Sequence, residues 1–139
     1  EGDSEDMPFD ECVFDVVLNV ESSHCYGDIN VFLSEVRRVL KPGGCFLWCD
    51  FRTVEKMEEL EKQFSNSGLK KIKDQDITSN IITALDHLTA FRKENIKRHV
   101  PRVMRKVFES YAGVRGGRVH NAFIADEIIY MSAAFQKPF

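Results

Sequence analysis

One histidine in this 139-residue chain stands where a proton can be moved. His24 follows a short apolar run, Phe14 to Asn19 (FDVVLN), and shares its polar loop with Glu21 and Tyr26. An imidazole titrates near neutral pH and can accept a proton from a substrate group. Glu21 can orient that ring or hold a hydroxyl; the alternative is an ordinary solvated loop histidine. Asn19 and Val20 close the apolar run, and in open α/β sheets ligands lie beyond the carboxyl ends of the strands. Arg52 follows a second apolar run, Cys45 to Phe51 (CFLWCDF), and would border the same crevice as Tyr26. For both, a capping or surface role is the competing account.

The cysteines are Cys12, Cys25, Cys45 and Cys49, and none forms a C-x-x-C pair. Four strand residues span about 13 Å, too far for a Cys45–Cys49 disulfide. Free thiols point to a reducing compartment, the cytoplasm. The four histidines lie at no ligand spacing from these cysteines, so no metal site is expected. No apolar stretch approaches the roughly 18 residues that cross a bilayer. The first residues are acidic where a secretory leader would be basic. The chain opens on Glu1, which points to processing or to a fragment of something longer.

Hydrophobic residues make up 43% of the chain and charged residues 29%, an ordinary balance for one folded domain. The net charge of −3 conceals an asymmetry. Residues 1–12 are acidic without a basic partner, whereas 92–118 hold nine Lys or Arg against Glu94 and Glu109. A solvated helical insertion balancing the acidic start is the favoured reading. Contact with an anionic or lipid-like substrate ranks second and RNA last, because Phe91, Phe108 and Tyr111 have the spacing of ordinary core residues.

Phe14 to Asn19 reads as a buried parallel strand. Asp28 is a credible N-cap for a helix whose apolar stripe is Ile29, Phe32, Leu33, Val36, Val39 and Leu40. Lys41-Pro42-Gly43-Gly44 stops that helix, with Lys41 suited to its negative end. Cys45 to Phe51 is a second buried strand, and Thr53 caps a helix bearing Val54, Met57, Leu60 and Phe64. Leu69 to Ile77 reads as a more exposed third strand. Residues 79–99 and 102–111 read as helices broken at Pro101, Gly113 to Gly117 as a loop, and Glu127 to Gln136 as a closing strand. This alternation predicts an α/β doubly wound sheet with a helical insertion at about 79–112.

Gly2-Asp3-Ser4-Glu5-Asp6-Met7-Pro8-Phe9, Phe14-Asp15-Val16-Val17, the string NVESSHCY at 19–26 and RVLKPGG at 38–44 together resemble class I S-adenosylmethionine-dependent methyltransferases. NVESSHCY is similar to the segment in enzymes that methylate lipid or polyketide hydroxyls, the phenolphthiotriolone-type methyltransferases among them. The resemblance is strong over residues 2–52 and weaker, though consistent in element order, beyond. It implies a Rossmann-like sheet of seven strands with the last antiparallel, of which this chain would hold the C-terminal half, residues 1–139 forming a partial domain. The glycine-rich cofactor loop and the ribose-binding acid would lie upstream.

By the same resemblance, Asp3 and Ser4 meet the adenine edge of S-adenosylmethionine, and Asn19 and Val20 line the reacting centre. His24 and Glu21 are the catalytic candidates, and Tyr26 and Arg52 the substrate contacts. The implied activity is methyl transfer to a small or lipid-like acceptor, as part of a longer or paired chain. Without the glycine loop the chain alone should bind the cofactor weakly or not at all. The alternative is a truncated, inactive interaction module. In either case the strand at 14–19 would expose an apolar edge, which invites a homodimer.

Overall fold

The computed structural model describes residues 2–139. Its strands are β1 (Phe14–Val20), β2 (Leu40–Thr53), β3 (Lys70–Asp76) and β4 (Ile128–Gln136). Its helices are α1 (Ile29–Val39), α2 (Val54–Asn66), α3 (Thr78–His99), α4 (Arg105–Tyr111) and α5 (Arg118–Ile124), with 3-10 turns at Ser23–Cys25 and Arg102–Met104. The chain divides into two compact units, one running to Asp76 and resuming at Tyr130–Phe139, the other Ile77–Ile129.

The first unit is an α/β layer. Its strands lie in the order β1-β2-β4-β3. β1 runs parallel to β2, with Leu18 opposite Leu47 and Val20 opposite Cys49, and β3 runs antiparallel to β4. The end of β4 meets the beginning of β2, where Gly43 donates to Lys137 O and Lys137 donates to Gly44 O, each at 2.9 Å. β4 is therefore reversed against β2, as the expected fold requires. α1 forms because Asp28 accepts from the amides of Asn30 and Val31 and because its apolar positions fall on one stripe. α2 is capped by Thr53. Both helices bury their stripes, Phe32, Leu33, Val36 and Val39 from α1 and Met57, Leu60 and Phe64 from α2. The alternate residues Phe46, Trp48 and Asp50 of β2 are buried with them. Aromatic rings link these layers: Phe46 stacks on Phe135 at 5.8 Å, Phe64 lies 4.5 Å from Phe135, and Trp48 meets Phe64 edge-on at 5.2 Å.

Three expectations change. Phe14 to Asn19 pairs in parallel as read, but it is an edge strand and is not buried on both faces. Val16, Leu18 and Val20 are 53%, 67% and 51% exposed, because they point to the face opposite the buried stripe residues. Lys41 to Gly44 does stop α1, yet the segment is drawn into β2 and is not a free loop. The pairing jumps from Phe14–Leu40 to Val16–Cys45 to absorb it. Gly43 there has φ +78°, and a Cβ on Gly44 would lie 2.9 Å from Lys41 O and 3.1 Å from Asp15 O. Glycine is thus required at both positions. Lys41 pairs with Asp15 at 2.9 Å. α5 has no counterpart in the sequence reading, since it is only seven residues long and has no side-chain cap.

The second unit is helical. Gly113, at φ +64°, lets Arg92 reach Ala112 O at 2.6 Å. Buried His120 is held between Asp86, at 3.0 Å, and the Gly116 amide, at 3.4 Å. Because that amide donates to Nδ1, the ring proton lies on Nε2 and is given to Asp86.

Urea unfolding of this chain should separate the two faces of the sheet. Leu33→Ala and Phe64→Ala should each cost about 2–5 kcal/mol, the range for emptied core sites, since both side chains are almost fully buried. Leu18→Ala should stay within about 0.5 kcal/mol. A Leu18→Ala loss as large as that of Leu33→Ala would show that the open face is covered in solution.

Candidate functional site

The first unit places its polar chemistry where β1 and β2 end. β2 is apolar on its inner side until Asp50, whose carboxylate is completely buried. A buried charge survives only with partners, and Asp50 has five. Its Oδ2 accepts from Ser23 Oγ at 2.8 Å and from the His24 amide at 3.0 Å, and lies 3.1 Å from Arg52 Nη1. Its Oδ1 accepts from the Phe51 amide and meets His24 Nδ1, both at 2.9 Å. Burial pushes this carboxyl up, but the hydrogen bonds from Ser23, His24, Phe51 and Arg52 together outweigh it and hold it below its ordinary value. Asp50 is therefore ionised at neutral pH.

Ser23 is the hub of the network. Its hydroxyl donates to Asp50 and accepts from Trp48 Nε1 at 2.9 Å and Arg52 Nη2 at 2.8 Å, which uses its donor and both lone pairs. With Asp50 ionised, His24 Nδ1 is the donor in their contact, and in the neutral tautomer this selects, Nε2 is the acceptor. The ring lies tilted against Phe51, with centroids 4.8 Å apart, and is 31% exposed. It lines a cleft of about 280 Å³ with Tyr26, Asp28, Arg52 and Lys56. This arrangement can take a proton at Nε2 and stabilise the resulting imidazolium.

The other expected residues have different surroundings. Glu21 is not the partner of His24: its Oε1 accepts from Tyr130 Oη at 2.8 Å, and its backbone is in the left-handed region at φ +49°. Burial and the Glu21 carboxylate raise the Tyr130 phenol well above its usual range. Burial likewise pushes up the neighbouring Cys49 thiol. Asn19 Nδ2 donates to Ser22 Oγ at 2.9 Å and Tyr26 Oη at 2.8 Å. Tyr26 is thereby engaged at its hydroxyl while its ring packs on Phe32 at 4.7 Å. Arg52 is committed to Asp50, Ser23 and Phe51 O. Asp3 and Ser4 lie in a turn, with Asp3 Oδ1 accepting from the Glu5 amide at 2.9 Å. Glu5 Oε1 in turn accepts from Gly27 at 2.7 Å and ties that turn to the loop after His24. Val20 is exposed at the end of β1.

Asp50, Ser23 and Tyr130 escaped the sequence reading. Asp50 had a signal, an acid near the end of an otherwise apolar strand beside another strand's carboxyl end, which demands partners. Tyr130 had none, since only the sheet order brings it to Glu21 from 109 residues away.

A methyltransferase-domain family model matches residues 1–48, which include β1, His24 and α1. The phthiotriol/phenolphthiotriol dimycocerosates methyltransferase of Mycobacterium leprae is 35% identical over 136 residues, 98% of this chain and 50% of that protein. The fatty-acid O-methyltransferase of Mycolicibacterium smegmatis is 33% identical over 138 residues, 99% of this chain and 50% of that protein. The solved phosphoethanolamine N-methyltransferase 2 of Haemonchus contortus shares the fold with a TM-score of 0.74 at 19% identity, over 99% of this chain and 36% of that one. Sequence and fold thus resemble those of class I, Rossmann-like S-adenosylmethionine-dependent methyltransferases. Within that class the chain resembles the phthiotriol/phenolphthiotriol dimycocerosates methyltransferases, and it spans about half the length of the curated relatives it matches.

The Asp50 network predicts an acid sensitivity. Its folded-state pKa is depressed, so its contribution to stability is present above the ordinary carboxylate value of 3.8 and is lost as pH falls below that value. Unfolding free energy should fall more steeply below pH 3.8 in the natural chain than in Asp50→Asn. At neutral pH, Asp50→Ala should cost about 3–5 kcal/mol, because it leaves the Arg52 guanidinium buried and unpaired.

Proposed function

We propose that this chain is the C-terminal half of a methyltransferase domain that methylates a hydroxyl of a lipid-like acceptor, with His24 as general base and Asp50 as its positioning residue. The single observation carrying this reading is the 2.9 Å contact of His24 Nδ1 with the buried, ionised Asp50. It gives a loop histidine at a cleft the tautomer and orientation of a base. S-adenosylmethionine, when bound, would supply an electrophilic methyl group. Methyl transfer is an in-line displacement, so the protein's task is alignment and removal of the acceptor's proton.

His24 Nε2 takes that proton, and the Asp50 carboxylate stabilises the imidazolium. Ser23 and Arg52 keep Asp50 in place, and Glu21, steadied by Tyr130, holds the acceptor hydroxyl. Tyr26 lines the acceptor side. For the cofactor, the donor set suits a ligand rich in amine and hydroxyl groups. The Asp3 carboxylate is exposed, with Ser4 beside it. Asn19 Oδ1 is buried with no hydrogen-bond partner, an acceptor waiting for a donor. Asp3 and Ser4 would hold the adenine edge, and Asn19 and Val20 the strand-end side. The lipid-like acceptor follows from what the Mycobacterium leprae and Mycolicibacterium smegmatis relatives are named for. No helix among the described residues is long and apolar enough to cross a membrane. The free thiols, with Cys12 and Cys25 exposed, fit a reducing, cytoplasmic setting.

A second reading is favoured by the open face of the sheet. Val16, Leu18, Val20 and Leu47 expose a contiguous apolar surface beside a cavity of about 240 Å³ lined by Leu18, Leu47, Cys49 and Ala134. Taken alone, such a surface makes the chain an interaction module that pairs through this face and the β1 edge, with a second copy or another chain.

Two measurements test the enzyme reading. Titrated with S-adenosylmethionine, the 139-residue chain alone should bind weakly or not at all; a low-micromolar isotherm would mean that this half carries the affinity. In a complete enzyme containing this segment, His24→Ala should lower kcat roughly 10²-fold without changing cofactor affinity, whereas Asp3→Ala should weaken the cofactor and spare kcat. Asp50→Asn places a donor against Nδ1 and forces the proton onto Nε2, so it should lose about as much as His24→Ala. The double variant should then lose little more than either single one. Full kcat in His24→Ala between pH 6 and 9 would refute the base assignment.

A further inference from the structure

The helical unit, Ile77–Ile129, gathers cations from three helices around one cavity. Lys93 on α3, Lys106 on α4, Arg118 on α5 and Arg115 in the loop between α4 and α5 line a space of about 230 Å³. Glu109 is the one carboxylate among the described residues that line it. The packing of α4 makes this possible. Arg105 donates to Val100 O at 2.9 Å and to Lys97 O at 2.7 Å. That turns its side of the helix inward and leaves Val107 and Phe108 exposed on the other. Arg92 ties α3 to the end of α4 through Ala112 O.

The loop before α5 brings Arg118 to this place. A Cβ on Gly117 would lie 2.7 Å from Glu109 O and 2.9 Å from Val114 O, so the chain passes α4 more closely than a side chain allows. Gly116 has φ +77°, and a Cβ there would meet nothing within 4 Å, so the chain leaves that wall of the cavity open. The backbone amides are already used. Gly117 donates to Val114 O at 2.7 Å, Arg115 to Thr89 Oγ1 at 2.9 Å and Gly116 to His120 Nδ1 at 3.4 Å. Side chains are therefore what the cavity offers a ligand. Arg118 is braced by Tyr111: its Nη1 donates to Tyr111 Oη at 3.3 Å, and its guanidinium carbon lies 5.9 Å from the ring centre. Arg115 is paired with Asp86 at 3.5 Å. Among the described residues no ion pair engages Lys93, Lys106 or Arg118, and Ser110 Oγ has no hydrogen-bond partner.

We propose that this cavity binds a phosphate dianion, free or as the end of a small phosphomonoester. Three unpaired cations face one carboxylate, which leaves two positive charges for a dianion to neutralise. Like charges from α3, α4 and α5 share one concave wall, where they repel one another until an anion joins them and where the field they make is focused. Lys93 and Lys106 supply ammonium donors, and the Arg118 guanidinium matches two phosphate oxygens at once. Ser110 Oγ offers one more donor. The space suits a phosphate with a small ester group and lies below the roughly 300–1,000 Å³ of pockets for larger ligands. A long polyanion needs cations strung along a groove, whereas these converge on one cavity. The proposal does not rest on the reaction proposed above, because none of its residues is assigned to that chemistry.

The test is an NMR titration of the isotope-labelled 139-residue chain. Inorganic phosphate, glycerol phosphate and sodium chloride are added in turn at matched ionic strength. Both phosphates should move the amide resonances of Ser110 and residues 115–118 and saturate at millimolar concentration; chloride should not. Tighter binding of glycerol phosphate identifies the ester as the ligand, and tighter binding of inorganic phosphate the free ion. The pair Lys106→Glu/Arg118→Glu should lose about 10-fold or more in affinity, with unchanged circular dichroism, since both side chains are exposed. Glu109→Gln removes only the opposing charge and should tighten binding about 3-fold. Equal shifts with chloride, which would be charge screening alone, or undiminished affinity in the charge-reversed pair would overturn the proposal. So would weaker binding by Glu109→Gln, or a single-stranded RNA that moves these resonances when neither phosphate does.

Discussion

A single buried carboxylate organises the α/β unit of this molecule. Asp50 ends the apolar inner face of β2 with a charge that water cannot reach, and an unpaired charge there would be prohibitive. Its hydrogen bonds reach the Ser23–Cys25 turn through Ser23 Oγ, the His24 amide and the His24 ring, and reach along β2 through the Phe51 amide and Arg52. The loop after β1 is thereby fastened to the end of β2. Because Ser23 also receives Trp48 and Arg52, the polar network is continuous with the aromatic core beneath it. The stability of the site and the orientation of its histidine are one constraint.

The sheet of the same unit is covered on one face only. β1 and β2 run in parallel, and parallel sheets are ordinarily covered on both faces. Here α1 and α2 cover one face, while Val16, Leu18 and Val20 of β1 remain open beside Leu47 of β2. That asymmetry accords with a chain spanning about half the length of its curated relatives. It also gives the two functional readings a common physical root. The surface that would receive the rest of a methyltransferase domain is the surface that an interaction module would use.

In the helical unit the governing fact is the inverted packing of α4. Arg105 spends its guanidinium on the carbonyls of Lys97 and Val100, capping the end of α3, and that fixes which side of α4 turns inward. The apolar side is exposed as a consequence. The expectation that Phe108 and Tyr111 are core residues followed from their spacing. The spacing is helical as expected, but the helix is turned the other way.

The order and type of most elements were legible in the chain itself, because local physics decides them. Asp28 and Thr53 cap α1 and α2 whatever surrounds them, Gly43 and Gly44 permit a backbone that other residues resist, and Pro101 breaks the long helical stretch. His24 was legible as a chemical group because it follows a strand. What it does there was not, since its orientation depends on Asp50, 26 residues later, and Glu21 answers to Tyr130, 109 residues later. Sequence spacing made Glu21 the natural neighbour of His24. Strand order, the seating of Asp50 in the core and the left-handed backbone at Glu21 decided otherwise. Those are properties of the packed sheet, in which the burial of a charge and the pairing of distant strands are settled together.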